Sequence, residues 1–149
     1  MTAAGERFFV DTNVLVYWLD ASDPAKQASA RRWVAAVWER DAGQTSWQVL
    51  NEFYVNAVKK ARAPLADVRT IVEVYAQWHP VGFGLGIVQR AWHWVDHAGV
   101  AYWDGLILSS AEAAACRYLL SEDFQGGRQY GRVQVVNPFC TDPSRFFGS

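Results

Sequence analysis

Short apolar segments alternate with longer amphipathic segments along this chain, and the alternation limits the folds that it can adopt. A short apolar segment bounded by turn signals has the length of a buried strand. Strands that alternate with helices form a parallel sheet whose two faces are both covered. The segments interpreted as strands are residues 7–11, 44–46, 80–83, 118–121 and 133–136. The pattern therefore predicts an α/β fold.

The amphipathic segments predict helices between these strands. Asp23 followed by Pro24 is typical of a helix start, because aspartate caps free N–H groups and proline fits the first turn. Gly99 favours the end of a helix just before it. The predicted helices cover residues 14–19, 24–40, 47–60, 67–78, 85–97 and 102–116. Apolar residues recur at helical spacing, so these helices have a face to bury against the sheet.

The length and composition suit a single cytoplasmic domain. The chain has 149 residues, of which 51% are hydrophobic, so one domain can bury a substantial core. Its apolar stretches are too short to cross a membrane, and residues 1–6 lack the features of a signal peptide. We expect residues 1–149 to form one domain, with residues 1–6 and 140–149 as peripheral tails. Cys116 and Cys140 do not make a disulfide framework, and we expect reduced thiols.

The charge balance argues weakly against nucleic-acid binding, which usually shows a basic surplus. The chain carries 14 basic and 15 acidic residues, a net charge of −1. If several acids converged on one metal site, however, the remaining surface would be net basic. Basic residues bunch at Lys59, Lys60 and Arg62, and such a bunch is either a solvated face or a path for phosphates.

Acidic residues occur where ligands bind in parallel sheets, beyond the carboxyl ends of the strands. Asp11 ends the first predicted strand, and Asp123 follows the strand that ends at Ser121. Glu52 lies in the helix after the second strand. Asp104 lies in the first turn of a helix and heads its apolar stripe, where an unpaired charge is costly to bury. Together these acids predict a site at one edge of the sheet.

Each acid also has a purely structural interpretation. Asp11 could cap the next helix through its side chain, and Asp104 could support the N-terminus of its own helix. Glu52 lies off the apolar stripe of its helix and could face solvent, while Glu122 and Asp123 could belong to a loop. Several acids at one edge of a sheet are a stronger signal than any one of them.

An all-oxygen set of ligands suits a hard cation such as Mg²⁺ or Mn²⁺. Carboxylates held close together repel each other, and a divalent ion relieves the repulsion. Such an ion can lower the pKa of a water molecule and stabilise charge on a phosphate. This chemistry needs no histidine. His93 and His97 are four residues apart, but Trp94 stands where a zinc-protease helix has glutamate, so we expect a surface or packing role.

The same residues resemble the motifs of the PIN-domain nucleases, and among them the VapC-type toxins of bacterial toxin–antitoxin pairs. The resemblance spans about residues 8–139, and its motifs occur in the family's order. The matching segments are FFVDTNVLV at residues 8–16, NEF at 51–53, YWDGLIL at 102–108, LLSEDFQ at 119–125 and NPF at 137–139. The first motif is weak by itself, whereas the ordered set is specific.

The resemblance implies a PIN-like three-layer α/β/α fold around a central, mainly parallel five-stranded sheet. It also implies an endoribonuclease that hydrolyses RNA phosphodiester bonds with Mg²⁺, for which Mn²⁺ can substitute, and a homodimer silenced by a cognate antitoxin protein. The residues that match the acidic quartet of catalytic residues and metal ligands are Asp11, Glu52, Asp104 and Asp123. Thr12 and Asn13 match the polar support beside the first aspartate, and Ser121 is a further supporting candidate.

This interpretation also bears on residues outside the quartet. Lys59 lies seven residues beyond Glu52, nearly on the same helix face, so Lys59 and Arg62 are candidate RNA contacts. Trp92 could stack on a base, although an aromatic residue at helical spacing more often packs in a core or a dimer interface. Gly105 departs from the alanine common in the family, and it should weaken its helix by up to ~1 kcal/mol unless close packing requires it.

Two other functions compete with the nuclease. A phosphatase of the haloacid-dehalogenase type also begins with an aspartate after a hydrophobic strand, but Asn13 occupies the place of its second aspartate. A non-catalytic protein-interaction module would suit the eight tryptophans, but it has no use for an acidic quartet. Metal-dependent cleavage of RNA separates the nuclease from the interaction module.

Overall fold

A five-stranded sheet runs through the protein, and its strands are parallel except at one edge. The computed structural model describes residues 5–148. The strands are β1 (Phe8–Val10), β2 (Gly43–Gln44), β3 (Tyr118–Leu120), β4 (Gln129–Tyr130) and β5 (Val133–Val136). Their order is β2-β1-β3-β5-β4, and β4 pairs antiparallel with β5. The predicted α/β fold with a mainly parallel five-stranded sheet is confirmed.

Helices connect the strands close to the predicted positions. Within the described residues they are α1 (Thr12–Leu19), α2 (Pro24–Glu39), α3 (Trp47–Lys59), α4 (Leu65–Tyr75), α5 (Leu85–Ala98), α6 (Tyr102–Ala113) and α7 (Ser144–Phe147). Asp23 caps α2 as expected, because its side chain accepts a hydrogen bond from the Lys26 N–H at 3.2 Å. None of these helices is long and apolar enough to span a membrane.

The structure differs from the sequence-based expectation in two short segments, residues 80–83 and strand β4. The segment at residues 80–83 is not a strand, since only Val81 forms an isolated bridge, with Ser46. Pro80 has no N–H to donate to a ladder, and Gly82 and Gly84 are exposed. Strand β4 was not predicted, because two residues are too few to show a period. The fifth strand of the sheet is therefore β4, which pairs with β5, and not the segment at residues 80–83.

Helix α6 ends at Ala113, three residues before its predicted end. Ala115 adopts a left-handed conformation with φ +57°, and the Cys116 N–H donates to the carbonyl of Ala111 at 2.9 Å. This turn buries Cys116 and directs the chain into β3. The alanine-rich sequence favours helix here, but tertiary packing overrides that propensity. Both cysteines are free, as expected, and Cys140 is exposed.

Buried aromatic residues on β1 hold the layers together. Phe8 and Phe9 are fully buried, and consecutive strand residues point to opposite faces of a sheet, so both faces are covered. The Phe8 ring lies 5.8 Å from the Trp33 ring of α2 and 5.6 Å from the Phe146 ring of α7. Helix α7 therefore packs on the domain, which differs from the peripheral tail that we expected for residues 140–149. Residues 1–4 of the other tail lie outside the described residues.

Gly105 allows α6 to pack directly on the backbone of α5. A Cβ atom at this position would lie 2.9 Å from the carbonyl oxygen of Ala91 and 3.4 Å from its Cα. Both atoms belong to the backbone, so they cannot move aside as a flexible side chain would. Close packing therefore explains the glycine, at a position where alanine would favour the helix by up to about 1 kcal/mol.

We predict that Gly105→Ala destabilises the protein by about 1–3 kcal/mol, because the added methyl group forces the two helices apart. Gly86→Ala is the matched control, since Gly86 lies in α5 and a Cβ atom there would have no described atom within 4 Å apart from its chain neighbours and the backbone of its own helix. That substitution should be neutral or stabilise by up to about 1 kcal/mol. Urea denaturation measures both. If Gly105→Ala and the wild type have equal free energies of unfolding, α5 and α6 accommodate the added methyl group without loss of stability, and the prediction is wrong.

Candidate active site

The candidate site lies at the carboxyl edge of the two central strands. Asp11 follows β1 directly, and its N–H donates to the carbonyl of Leu120 at 3.1 Å. Ser121 follows β3, and its N–H donates to the carbonyl of Val136 at 3.1 Å. Because β1 and β3 are parallel neighbours, the residues that follow them lie side by side.

The Asp11 carboxylate is buried and held at both oxygens. Its Oδ1 accepts the Thr12 N–H at 2.7 Å, which caps α1, and its Oδ2 accepts the Ser121 hydroxyl at 2.7 Å. Burial raises the pKa of Asp11 to about 7, although these two hydrogen bonds lower it. The charges of Asp123 and Glu52 raise the pKa further. Asp11 is thus a helix cap, as the structural interpretation expected, and also a member of an acidic cluster.

Asn13 ties the loop after β3 to the start of α1. Its amide nitrogen donates to Asp123 Oδ2 and to Ser121 Oγ, each at 3.1 Å. Its amide oxygen accepts the Glu122 N–H at 3.3 Å. The Ser121 hydroxyl also accepts the Asp123 N–H at 3.1 Å. These bonds position the Asp123 carboxylate beside Asp11 without neutralising either charge.

Gln48 is a buried residue of the site that the sequence analysis missed. Its amide nitrogen donates to Glu52 Oε1 at 2.9 Å and to the carbonyl of Trp103 at 3.3 Å. It thereby ties Glu52 on α3 to the first turn of α6, next to Asp104. Its Oε1 is buried and has no hydrogen-bond partner among residues 5–148. The available signal was a glutamine four residues before the glutamate, a spacing that places both on one helix face.

Asp104 is half-buried in the first turn of α6. The N-cap residue of this helix is Ala101, and within the described residues no side chain caps the helix by a hydrogen bond. Burial raises the pKa of Asp104, and the charge of Asp123 raises it further. A carboxylate whose main role was to stabilise a helix N-terminus would have a lowered pKa. The environment of Asp104 is therefore dominated by burial and by a neighbouring acid.

The four acids form one electrostatic group around Asp123. Its charge raises the pKa of Asp11, Glu52 and Asp104, in each case after the effect of burial. The hydrogen bond from Gln48 lowers the pKa of Glu52, but not enough to offset burial. Among residues 5–148, none of the four acids forms an ion pair with a basic side chain. The group therefore lacks a counter-charge within the described protein.

Glu122 differs from these acids because it has a basic partner. Lys26 Nζ lies 2.8 Å from Glu122 Oε2, and it sits 4.6 Å above the Tyr17 ring and 5.2 Å from the centre of the Phe139 ring. The hydrogen bond to Glu122 raises the pKa of Lys26. Lys26 thus balances the charge of Glu122, and it leaves that of Asp123 uncompensated.

The donor set suits a hard divalent cation that retains water ligands. Among the described residues, no three acid, histidine or cysteine side chains form a ready-made metal cluster. Mg²⁺ is usually bound through one or two carboxylates together with waters, so a looser arrangement of acids fits it. The Thr12 hydroxyl beside Asp11 is buried and has no hydrogen-bond partner in the described part of the chain, and it offers one more oxygen. The residues present therefore fit such an ion.

A polar groove of about 280 Å³ extends from the acids between α1 and α3. Its lining includes Tyr17 on α1, and Glu52, Asn56 and Lys60 on or just beyond α3. Lys59, which the sequence analysis proposed as an RNA contact, is exposed but does not line the groove, and the same holds for Arg62. Those two contacts remain predictions.

The histidines and tryptophans of α5 lie outside this site. His93 and His97 stack with their ring centroids 4.3 Å apart, and no metal cluster includes them among the described residues. The Trp94 Nε1–H donates to Glu112 at 2.7 Å across the contact with α6. Trp92 is 52% exposed, so it packs in no core of the described protein.

The model of the PIN-domain family matches residues 8–128, which is most of the chain. The chain belongs to the PIN-domain family. The match includes the acids Asp11, Glu52, Asp104 and Asp123, whose convergence was inferred from the sequence motifs. A comparison with curated proteins gives no significant match.

Solved structures with the same fold include proteins from three bacteria. A toxin–antitoxin complex from Klebsiella pneumoniae contains a chain with a TM-score of 0.62 and 14% identity, covering 89% of this chain and 98% of that one. VapC20 from Mycobacterium tuberculosis, a toxin that cleaves the sarcin–ricin loop, has a TM-score of 0.54 and 16% identity, with 75% and 86% covered. VapBC2 from Rickettsia felis, bound to a promoter DNA fragment, has a TM-score of 0.56 and 13% identity, with 86% and 96% covered.

The raised pKa of Asp11 predicts how the stability of the metal-free protein depends on pH. The carboxyl titrates near its ordinary value of about 4 in the unfolded chain and at about 7 in the folded protein. Between these values the folded state holds a proton that the unfolded state has lost, so the contribution of Asp11 to stability falls as the pH rises. Above about pH 7 the ionised Asp11 carboxylate lowers the free energy of unfolding by its full amount, on the order of 4 kcal/mol.

Asp11→Asn removes this titration while it keeps a similar shape. The stability of this variant relative to the wild type should therefore increase from about pH 5 to about pH 8. Urea denaturation of both proteins in EDTA at the two pH values measures the difference in free energy of unfolding. A difference that stays constant with pH would contradict the raised pKa, whatever its absolute size.

Proposed function

We propose that this PIN-domain protein is a metal-dependent endoribonuclease and the toxin component of a type II toxin–antitoxin system. The observation that carries the proposal is the group of carboxylates without a counter-charge at the carboxyl edge of the sheet. Asparagine, serine or threonine could cap α1 as Asp11 does, without a buried charge that lacks a basic partner among the described residues, so capping alone does not account for the cost of burying this carboxylate. Membership of the PIN-domain family supports hydrolysis of RNA as the reaction.

Mg²⁺ is the proposed cofactor, and Mn²⁺ should substitute for it. The proposed ligands, direct or through water, are the carboxylates of Asp11, Glu52, Asp104 and Asp123. A bound divalent ion would offset their repulsion, activate water and stabilise charge on the phosphate. The protein itself supplies orientation: Ser121 and Thr12 hold Asp11, and Gln48 holds Glu52.

Partner proteins are the second part of the proposal. An apolar cavity of about 380 Å³ lies between α2 and α4, and its lining includes Trp18, Trp38 and Tyr75. Elsewhere Leu85 and Trp103 are 68% and 62% exposed. Exposed apolar surface of this kind is typical of protein interfaces. The similar structure described as a toxin–antitoxin complex supports a cognate antitoxin as one partner, and we propose a second copy of the chain as the other.

The phosphatase alternative fits the structure less well. The haloacid-dehalogenase type needs an acid two residues beyond Asp11, and Asn13 stands there. The Asn13 amide is engaged with Asp123, Ser121 and Glu122, so it acts as a positioning group. A neutral amide with these partners cannot exchange protons with a substrate.

We predict that the protein cleaves single-stranded RNA with Mg²⁺ or Mn²⁺, and that EDTA abolishes cleavage. Asp104→Asn should lose most activity because it removes a proposed ligand. The same substitution should raise the melting temperature of the metal-free protein, since it removes a charge whose pKa is raised by burial and by Asp123. Added Mg²⁺ should reduce that gain, because the wild type binds the ion more tightly and is stabilised more.

Asp67→Asn is the matched control. Asp67 is an exposed aspartate in the first turn of α4, as Asp104 is in α6, but it lies outside the acidic group. Its replacement should lower stability slightly, by a few tenths of a kcal/mol, through the lost interaction with the helix dipole. Thermal melts in EDTA and in Mg²⁺ compare the two variants. Undiminished RNA cleavage in EDTA, or a destabilised but active Asp104→Asn, would overturn the proposed site.

A further inference from the structure

The groove beside the acids is bounded on one side by a regular stripe of polar residues. Glu52, Asn56 and Lys60 are spaced four residues apart, so they lie along one face of α3 at steps of about 6 Å. Tyr17 of α1 forms part of the opposite wall. The stripe thus runs from the acidic group to a cation at the far end of the helix.

Lys60 is a cation of the groove whose charge has no protein partner. Among the described residues, no carboxylate lies within ion-pair distance of it. Lys26, near the same groove, forms an ion pair with Glu122 at 2.8 Å, so its charge is less available to bind an anion than that of Lys60. Asp20 also lines the groove and, like Lys60, has no ion-pair partner among the described residues. If a divalent ion balances the acids of the site, Lys60 remains as the cation that can bind an anion.

Asn56 lies between the acids and Lys60 and has unused hydrogen-bonding groups. No hydrogen bond to its side-chain amide occurs within residues 5–148, although the amide is only partly exposed. Tyr17 opposite is held in place, because Lys26 covers one face of its ring and Phe139 packs edge-on at 5.2 Å. The groove therefore offers a free amide and a fixed aromatic wall between the two charged ends.

We propose that this groove binds the nucleotide next to the scissile bond of single-stranded RNA, with Lys60 on its phosphate and Asn56 on its nucleoside. Lysine acts as a point charge toward phosphate, and an amide can both donate to and accept from a base or a ribose hydroxyl. The volume of about 280 Å³ includes the space beside Glu52 and Asp123, so the groove holds about one nucleotide, and we expect an unpaired strand rather than a duplex. This inference rests on the proposed ribonuclease function.

The experiment measures RNA binding by variants in the Asp104→Asn background with Mg²⁺, using fluorescence anisotropy of a short labelled single-stranded RNA. Lys60→Met should weaken binding about fivefold and reduce the slope of log affinity against log salt by about 0.7, the value for one lost phosphate contact. Lys60→Arg should restore both. Asn56→Leu should weaken binding without changing the salt slope, because it removes no charge.

Arg132→Ala is the charge-matched control. Arg132 directly precedes β5, which is parallel to β3, so it lies at the sheet edge opposite the acids. Its loss should leave the affinity and the salt slope unchanged. Thermal melts of every variant identify any that fail to fold, and Lys60→Arg separates a loss of charge from a perturbed end of α3.

Several results would overturn the inference. If the wild type cuts RNA but Lys60→Met has the same RNA affinity and salt slope as Arg132→Ala, the groove does not bind RNA. The proposed ribonuclease function would not be affected by this result. Three other results would also overturn the groove inference without affecting the proposed function. They are a larger loss of RNA affinity in Lys59→Met than in Lys60→Met, equal affinity of the protein for duplex and single-stranded RNA, and a Lys60→Met variant that loses affinity only for the antitoxin. A wild type that neither binds nor cuts RNA would instead overturn the proposed function together with the groove.

Discussion

The buried carboxylate of Asp11 is the feature on which the arrangement of the site depends. It lies between the ends of two central strands, where Ser121 Oγ and the Thr12 N–H each donate to it at 2.7 Å. These bonds offset only part of the cost of burial, since its pKa is still raised to about 7. A charge held away from water costs several kcal/mol, which the packing of Phe8 and Phe9 on the preceding strand must outweigh.

Some acids of this protein form ion pairs with basic side chains within residues 5–148, whereas the acids of the site do not. Glu122 and Glu112 have basic partners at 2.8 Å and 3.0 Å, so their charges are balanced within the fold. The acids of the site have no ion-pair partner among the described residues, and Asp123 and Glu52 instead accept hydrogen bonds from the neutral amides of Asn13 and Gln48. A neutral amide orients a carboxylate and leaves its charge available. Acids that repel each other and have no basic partner are typical of a functional site, where a bound ligand can relieve the repulsion.

Much of the architecture was predictable because it is encoded in local periodicity. The three inner strands β1, β3 and β5 and the helices α1–α6 follow from apolar segments and helical spacing. The errors lie where long-range contacts decide. Residues 80–83 were predicted as a strand but form a single bridge, and β4 has only two residues. Helix α6 ends at Ala113, before the alanine-rich segment does, and the chain turns so that Cys116 is buried.

The sequence alone determined that Asp11 and Asp123 lie at one edge of the sheet, because residues that follow parallel strands share that edge whatever the details of packing. Glu52 and Asp104 lie on helices, and their place in the quartet followed from the resemblance to the family's motifs. The sequence could not determine the partners of those acids. Gln48 reaches the carbonyl of Trp103 across 55 residues, and Asn13 reaches Asp123 across 110. Nor could it separate Lys60 from Lys59, because adjacent residues on a helix differ by about 100° in direction, and only the packing of α1 against α3 decides which of them faces the groove.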